Sequence, residues 1–228
     1  MKRFRPRPFA ASLLCALFVA GCSRGVRPSV TAAAVAPEAG ARPESAPPPY
    51  SPADARFMSG MIVHHAQAVL MSGWAPTHGA SPSVSELCER IIVSQRDEIA
   101  AMQRWLRERH QAVPDADTTS QRMMAGMDRA MSMPGTAHPM LMPGMLTGEQ
   151  LARLDSARGP TFDRLFLTFM IQHHEGALTM VQDLMNAQGG GQDGLVFQFA
   201  SDVNAGQSAE IDRMRHMLAV QLLGGRSQ

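Results

Sequence analysis

Two pairs of adjacent histidines are the residues of this chain best suited to chemistry. His64 and His65 lie in the motif Phe-x-x-x-Met-Ile-x-His-His, and His173 and His174 lie in a second copy of it. Imidazole binds many transition metals and transfers protons near neutral pH. Each copy is followed downstream by Gln-x-x-Glu-Ile-x-x-Met, so a glutamate accompanies each pair. The candidate metal ligands of the two motifs are His64, His65, His173, His174, Met61, Met170, Glu98 and Glu210.

A methionine-rich segment between the two motifs is a second candidate site. Residues 123–145 hold eight of the 18 methionines and are interrupted by Pro134, Pro139 and Pro143. We therefore predict that most of it is loop rather than core helix, and exposed thioethers are soft ligands that select Cu(I). The alternative is a strap that folds apolar methionines over the bundle. The candidate ligands in this segment are Met123, Met124, Met127, Met140, Met142 and Met145.

An internal repeat supplies the elements that must position these residues. Residues 54–71 match 163–180 with eight identities in 18 positions, and 93–106 match 205–218. In each half, apolar residues recur every three or four positions, which predicts two amphipathic helices. We therefore predict an all-α four-helix bundle of two repeated helical hairpins, joined by the Met-rich segment. The predicted helices cover 52–74, 82–110, 161–187 and 194–222.

The predicted helices carry polar residues on the faces that a bundle normally keeps apolar. Burying such groups unpaired costs a few kcal/mol each, so they must pair with one another or hold something. Counting ~1.5 Å per residue from the helix ends places Glu98 roughly 9 Å beyond His64, level with Met58 and Met61. This register is compatible with a His/Glu/Met cluster but does not require one.

The N-terminus has the order of a bacterial lipoprotein signal peptide. Four basic residues precede an apolar run that is too short to cross a bilayer of ~30 Å, and Cys22 follows Val-Ala-Gly. We predict a signal peptide over 1–21, a lipid on Cys22 and a disordered Ala/Pro/Ser-rich tether over 22–49. The mature protein would be anchored to the membrane of the cell envelope and face the periplasm or the outer surface.

The mature chain excludes some partners. Cleavage removes four positive charges and no negative ones, so the net charge falls from +1 to −3 and no basic footprint for nucleic acid remains. Cys88 is then the single thiol, and no internal disulfide can form.

The predicted domain covers 50–222. It consists of repeat one (51–110), a Met-rich linker (111–158) and repeat two (159–222).

The duplicated motif, the two Gln-x-x-Glu-Ile-x-x-Met segments and the Pro-Gly-Met-Leu-Thr linker at 143–147 resemble the bacterial domain-of-unknown-function family 305. The resemblance covers about residues 50–220. It implies a ferritin-like helical bundle, frequent export and, in some members, periplasmic copper binding. It also implies that the four motif histidines, with the methionines and glutamates beside them, form the site, but it carries no agreed activity.

Three classes of function fit the sequence. The leading hypothesis is a binding protein rather than an enzyme, which captures Cu(I) for copper tolerance and exchanges it with copper-handling partner proteins. The second is a metalloenzyme with a redox metal held by His and Glu, although the Glu-x-x-His pattern of di-iron bundles is absent. The third is a structural or interaction module without metal. Under the first hypothesis, histidine-held metal should be released as the pH falls through ~6.5, because imidazole must be neutral to bind.

Overall fold

Six helices make up the part of the chain that the computed structural model describes, residues 49–132 and 142–224. Only the backbone is described for 127–132 and 222–224. The helices are α1 (Pro52–Ser72), α2 (Pro82–Glu108), α3 (Ala116–Ser132), α4 (Gly148–Ser156), α5 (Gly159–Asn186) and α6 (Gly194–Gly224). No strand occurs in these ranges, which confirms the all-α prediction. The predicted signal peptide, Cys22 and nearly all of the predicted tether lie outside the described residues.

The four long helices begin and end within two residues of their predicted bounds. Helix α1 packs against α2, α5 packs against α6, and the two hairpins meet along α1 and α5. This arrangement is the predicted ferritin-like four-helix bundle. None of the helices in the described ranges combines the length and the hydrophobicity that crossing a bilayer requires.

The first helix of each hairpin begins with an aspartate that binds the other hairpin. Ser51 and Asp54 form a capping box at the start of α1. The Asp54 carboxylate also accepts a hydrogen bond from the backbone N–H of Gly191, at 2.7 Å. At the equivalent position of the second repeat, Asp163 accepts from the backbone N–H of Ser81, at 3.1 Å. Each aspartate therefore holds the loop between the two helices of the opposite hairpin.

The sequence analysis did not predict helix α3. It begins beside Asp115, whose carboxylate accepts from the backbone N–H groups two and three positions further on. Its sequence contains no proline, since the prolines of the methionine-rich segment begin only at Pro134. Met123, Met124 and Met127 therefore lie on a helix, and the loop prediction is wrong for them.

A short non-helical segment, residues 142–147, contains a turn at 143–144 and lies across α1 and α5, and we call it the strap. Gly144 has a φ of +74° and lies against Gly176 of α5, where a Cβ would come within 2.1 Å of the Pro143 carbonyl oxygen. Only glycine at position 176 permits this approach. On the α1 side, the Gln67 amide accepts from the backbone N–H of Leu146 and donates to its carbonyl oxygen. The strap is thus fixed to both hairpins.

A polar layer separates two hydrophobic clusters inside the bundle. Along α1, Ile62 belongs to one cluster and Ala68 to the other. Along α5, Ala177 and Met170 belong to the same two clusters, respectively. The motif histidines lie between these positions, so the hydrophobic core is interrupted at their level. The layer consists of His64, His65, Gln95, Glu98, His173, His174, Gln207 and Glu210.

Candidate metal centre

A histidine and a glutamate form a hydrogen-bonded pair in each hairpin. His65 Nε2 lies 2.5 Å from Glu98 Oε2, and His174 Nε2 lies 2.6 Å from Glu210 Oε2. Both imidazoles are completely buried, whereas the glutamate side chains keep 30% and 21% of their surface exposed. Because a carboxylate only accepts, Nε2 carries the hydrogen in each pair. Each pair joins the two helices of one hairpin.

The register estimate for Glu98 was wrong. It placed this residue well beyond the histidines, whereas the carboxylate bonds directly to His65. Hydrogen bonds of helical type continue past the end of α1, including Gly73 N–H to Val69 O and His78 N–H to Trp74 O. The chain therefore keeps advancing along the axis of α1 before α2 begins. Counting from the helix ends left out this advance.

The other two histidines meet at the centre of the layer. The rings of His64 and His173 are 3.9 Å apart between centroids and tilted by 37°. Both side chains are completely buried, which confirms the prediction that they face the interior. His64 Nε2–H donates to the carbonyl oxygen of Pro143 in the strap, at 3.0 Å. His173 Nε2–H donates to the carbonyl oxygen of His64, also at 3.0 Å.

The second ring nitrogen, Nδ1, is buried and without a hydrogen-bond partner in all four histidines. In a neutral imidazole whose Nε2 carries the hydrogen, Nδ1 presents a lone pair. Histidines that bind metals usually donate one ring N–H to a carboxylate or a backbone carbonyl and bind the metal through the other nitrogen. At every motif histidine, Nε2–H already donates to a carboxylate or a backbone carbonyl, as it does in such metal sites. The donor set thus fits a metal that prefers nitrogen ligands.

Burial keeps the central histidines neutral. Burial and, to a smaller extent, the nearby His65 together lower the pKa of His64 to about 3. Burial also lowers the pKa of His173 well below its usual value of 6.5, with His64 as the next largest cause. Both imidazoles therefore stay in the form that binds metal in mildly acidic solution. The lowered pKa values move the predicted release of any metal held by these two residues to a pH below ~6.5.

A small polar cavity of about 50 Å³ adjoins the layer between α2 and α6. The glutamates of both pairs line it, together with Gln95 and Gln207. The Gln95 side-chain oxygen and both polar side-chain atoms of Gln207 have no hydrogen-bond partner. A water needs roughly 10–15 Å³ of such space, so an ion or a few waters fit. The cavity gives the layer a polar opening toward solvent.

The motif residues do not form a complete ligand set as they stand. Within 49–132 and 142–224, no three His, Cys, Asp or Glu side chains converge in a metal-binding arrangement. The motif methionines Met61 and Met170 are fully buried, in the hydrophobic clusters on opposite sides of the polar layer. A metal at this centre therefore requires some histidine side chains to turn, or a ligand from elsewhere.

The linker methionines are dispersed rather than gathered in one exposed loop. Met124 is 47% exposed on α3, whereas Met123 on the same helix is half-buried against the core. Met145 of the strap is buried. Met140 lies outside the described residues, and of Met127 only the backbone is described. The prediction of exposed thioethers therefore fits Met124 but not Met145.

Met142 lies beside a methionine that the sequence interpretation did not propose as a ligand. A Cβ on Gly60 of α1 would lie 3.3 Å from Met142 Sδ and 3.4 Å from Met180 Cε. Both methionines are half-buried, so two thioether side chains approach the same surface of α1. The repeat identified Met180 as the counterpart of Met71, but no sequence pattern predicted that Met142 of the strap would lie near Met180.

The comparisons with known proteins agree with this fold. Residues 54–218 match the family described as a domain of unknown function, DUF305. The chain belongs to this family. A DUF305 fragment from Deinococcus radiodurans is similar in structure at 25% identity and a TM-score of 0.58, covering 75% of this chain and 99% of its own. A DUF305 protein from Streptomyces coelicolor, predicted to be secreted, is 26% identical with a TM-score of 0.57, covering 74% and 93%.

Two further proteins resemble this DUF305 chain. CopM in its Cu(II)-bound form is 27% identical with a TM-score of 0.54, over 73% of this chain and 95% of CopM. The uncharacterized protein L153 of Acanthamoeba polyphaga mimivirus is 39% identical over 56 residues. That match covers 25% of this chain and spans 37% of the length of L153.

Proposed function

We propose that this DUF305 protein binds copper in the cell envelope, where a lipid on Cys22 anchors it, for copper capture or tolerance. The observation that carries the proposal is the set of four buried imidazoles, each with an unpaired Nδ1 and an Nε2 engaged by a carboxylate or a carbonyl. An unpaired polar atom in a core is costly. A bound metal would remove that cost at several positions at once.

The chemistry of the donors and one relative point to copper among the metals. Imidazole suits copper, and thioethers select its reduced form, Cu(I). CopM, which shares the fold at 27% identity, is known in a Cu(II)-bound form. Envelope proteins of this kind would receive and pass on copper through copper-handling partners.

We assign the two oxidation states to two sets of ligands. The Nδ1 atoms of the layer would bind Cu(II) or Cu(I), with Glu98 and Glu210 orienting the imidazoles through Nε2–H. The thioethers of Met142 and Met180, with other linker methionines, would bind Cu(I) and bind Cu(II) poorly. The thioether set would therefore be selective for Cu(I), whereas the imidazole set would bind both oxidation states.

A second candidate function is a structural module whose polar layer only fixes the pairing of the hairpins. It is favoured by the observation that every Nε2 in the layer already has a partner within the protein. This function gives no use to the four unpaired Nδ1 atoms. The two candidates therefore differ in what happens when copper is added.

The test is copper titration of protein purified without affinity metal. Cu(II) is followed by electron paramagnetic resonance, in which nitrogen hyperfine structure counts bound imidazoles, and Cu(I) by competition with a coloured chelator under reducing conditions. We expect nitrogen-coordinated Cu(II) in the wild type and its loss in His64→Gln with His173→Gln. The controls are His78→Gln, whose ring nitrogens bond to Thr77 and Asp155, and the exposed His216→Gln.

The thioether set is tested separately. Changing Met142 and Met180 to Leu keeps bulk and removes sulfur, so affinity for Cu(I) should fall while the nitrogen-coordinated Cu(II) signal stays. Met71→Leu, at the buried counterpart of Met180, is the matched control. If the wild type takes up neither oxidation state against the chelator, or if the control histidine variants lose as much copper, the structural module is the better description.

A further inference from the structure

The small polar cavity between α2 and α6 is lined mainly by positions that the internal repeat equates. It has a volume of about 50 Å³, and none of the described residues that line it is basic. Each repeat contributes one glutamine and one glutamate to its walls. The equated pairs are Ser94 with Gly206, Gln95 with Gln207, and Glu98 with Glu210.

The two glutamates place negative charge on the cavity. Each carboxylate accepts a hydrogen bond from the Nε2–H of one imidazole, and a hydrogen bond from a neutral imidazole leaves the carboxylate charge in place. The other oxygen of Glu98 accepts from the Ser94 hydroxyl, at 3.2 Å. Two like charges at one small cavity repel each other, and a cation between them offsets the repulsion. Charge therefore favours a cation over a neutral ligand or an anion.

The two glutamines point to a ligand independently of charge. Gln95 and Gln207 line the cavity and are only 2% and 4% exposed. Gln95 Oε1 and both polar side-chain atoms of Gln207 have no hydrogen-bond partner, whereas buried polar side chains are normally bonded. A hydrated cation satisfies both amides, since their oxygens can bind the metal and Gln207 Nε2–H can donate to metal-bound water. Water alone would satisfy the amides but would leave the two carboxylate charges uncompensated.

We propose that this cavity binds a hard divalent cation, with Ca²⁺ as the best fit, through the carboxylates of Glu98 and Glu210 and the amide oxygens of Gln95 and Gln207. Carboxylates, amide carbonyls and water are the ligands that Ca²⁺ prefers, and its variable coordination suits side chains contributed by two separate helices. Mg²⁺ demands near-octahedral geometry and gives up its waters reluctantly, so it fits less well. The site needs only two carboxylates, which agrees with the finding that no three His, Cys, Asp or Glu side chains converge in the described part of the chain.

The proposed cation would join the two hairpins at a second place. The hairpins pack along α1 and α5, whereas Gln95 and Glu98 lie on α2 and their counterparts lie on α6. Solvent reaches the cavity, because the glutamate side chains are 30% and 21% exposed and a Cβ on Gly206 would meet nothing within 4 Å. The inference does not rest on copper binding, which uses the Nδ1 atoms of the imidazoles. Calcium should therefore stabilise the fold in the absence of copper.

Calcium titration of the full chain, freed of divalent ions with a chelator and kept free of copper, tests the proposal. Isothermal titration calorimetry at constant ionic strength should detect a single Ca²⁺ site with a Kd on the order of 10⁻⁴–10⁻³ M, typical of extracellular calcium modules. Mg²⁺ should bind about tenfold more weakly. The melting temperature should rise with Ca²⁺ and should not rise with NaCl of equal ionic strength.

Variants of the glutamines separate a calcium site from a cavity that holds only water. Gln95→Leu with Gln207→Leu removes the amide ligands and should still fold, because unpaired buried polar groups are replaced by apolar ones. In chelator this double variant should melt at or above the wild-type temperature, and it should lose the rise caused by Ca²⁺. Gln207→Glu adds a third carboxylate, so it should lower the melting temperature in chelator and bind Ca²⁺ about tenfold more tightly.

The matched control is Glu89→Gln with Asp212→Asn, which removes exposed carboxylates from the same two helices and should leave the response to Ca²⁺ intact. Absence of bound Ca²⁺ in the wild type, an unchanged response in the leucine double variant, or no gain of affinity in Gln207→Glu overturns the proposal. An equal loss of Ca²⁺ binding in the control also overturns it, because binding would then be a property of the whole surface. A wild type that ignores Ca²⁺, with a leucine double variant that is more stable, assigns the cavity to water. Copper binding is decided by its own titration, so each proposal can fail alone.

Discussion

The two hairpins share a motif but place one of its histidines in different surroundings. The His–Glu pairs are alike, at 2.5 Å in the first repeat and 2.6 Å in the second. The central histidines differ, since His64 donates to the strap and His173 donates to the backbone of His64. A contact within one hairpin is copied when the hairpin is duplicated. A contact with the single linker cannot be copied, so the symmetry fails where the strap meets the bundle.

The equivalent positions Gln67 and Gly176 show the same difference. Both contact the strap, yet Gln67 does so through two hydrogen bonds of its amide and Gly176 does so by having no side chain. At this pair of positions, the difference between the repeats coincides with the contact to a segment that has no copy. The predictions below test how far the two halves are equivalent.

The largest expected effect is the dependence of stability on pH. The folded state holds the pKa of His64 at about 3 and that of His173 well below 6.5, so the unfolded chain takes up these protons first. Stability should fall as the pH decreases from ~6.5 toward 3, by on the order of 1.4 kcal/mol per pH unit for each histidine. Urea unfolding at several pH values measures the slope.

Each central histidine should account for part of that slope. His64→Gln and His173→Gln should each flatten the profile, and the exposed His216→Gln should leave it unchanged. A profile that is already flat in the wild type between pH 6 and 4 would show that neither imidazole is held neutral by the fold.

Gly176→Ala should have the next largest effect. The new Cβ would meet the Pro143 carbonyl oxygen at 2.1 Å, so the strap must move and His64 must lose its acceptor. We expect a loss of about 2–4 kcal/mol in thermal or urea unfolding. Gly60→Ala, also inside a helix, meets only the mobile ends of Met142 and Met180 and should be nearly neutral. Equal costs at both glycines would contradict the asymmetry of the strap.

Removing a glutamate tests the part of the comparison in which the halves are alike. Glu98→Leu or Glu210→Leu leaves a buried Nε2–H without its acceptor, which costs about 1–3 kcal/mol. Because the His–Glu distances are nearly equal and the additional Ser94 hydrogen bond to Glu98 is exposed, the two variants should unfold within about 0.5 kcal/mol of one another. Glu→Gln at either position keeps an acceptor and should cost less. A large difference in the free energy of unfolding between the two leucine variants would show that the two His–Glu pairs do not contribute equally to stability.

The smallest effect is expected at Cys88. Its counterpart in the second repeat is Ala200, and both are buried, so Cys88→Ala makes the two halves identical at this position for a cost of about 1 kcal/mol or less. Burial raises the pKa of the Cys88 thiol to about 12, which leaves almost no thiolate at neutral pH. Iodoacetamide should therefore label the wild type only after unfolding. Rapid labelling of the native protein would contradict this burial.

The repeat made most of the fold predictable, because it identified four helices and equated Glu98 with Glu210 without reference to a structure. What could not be predicted depends on chain segments that have no copy. The helical turns after Ser72 shift the register by enough to bring Glu98 to His65. The strap supplies the acceptor of His64 from 79 residues away, and no local pattern encodes that contact.

Helix α3 shows a different limit. The prolines and glycines of 134–144 dominated the interpretation of the whole methionine-rich segment, although the residues before them contain a good N-terminal cap and no proline. Composition averaged over 23 residues therefore concealed a boundary near Ser132. The absence of proline between Asp115 and Pro134 predicts a helix that includes Met123 and Met124.

The crossed aspartate contacts imply how such a molecule could have arisen. Each hairpin contains both an aspartate that binds a loop and a loop that is bound by an aspartate. A single hairpin with both features can pair with a copy of itself around a twofold axis, since each surface then meets its own complement. The present chain has the contacts of such a homodimer, joined end to end in one polypeptide. In such an origin, the segment that connects the two hairpins has no copy whose contacts it must match. The strap and its methionines lie in this segment.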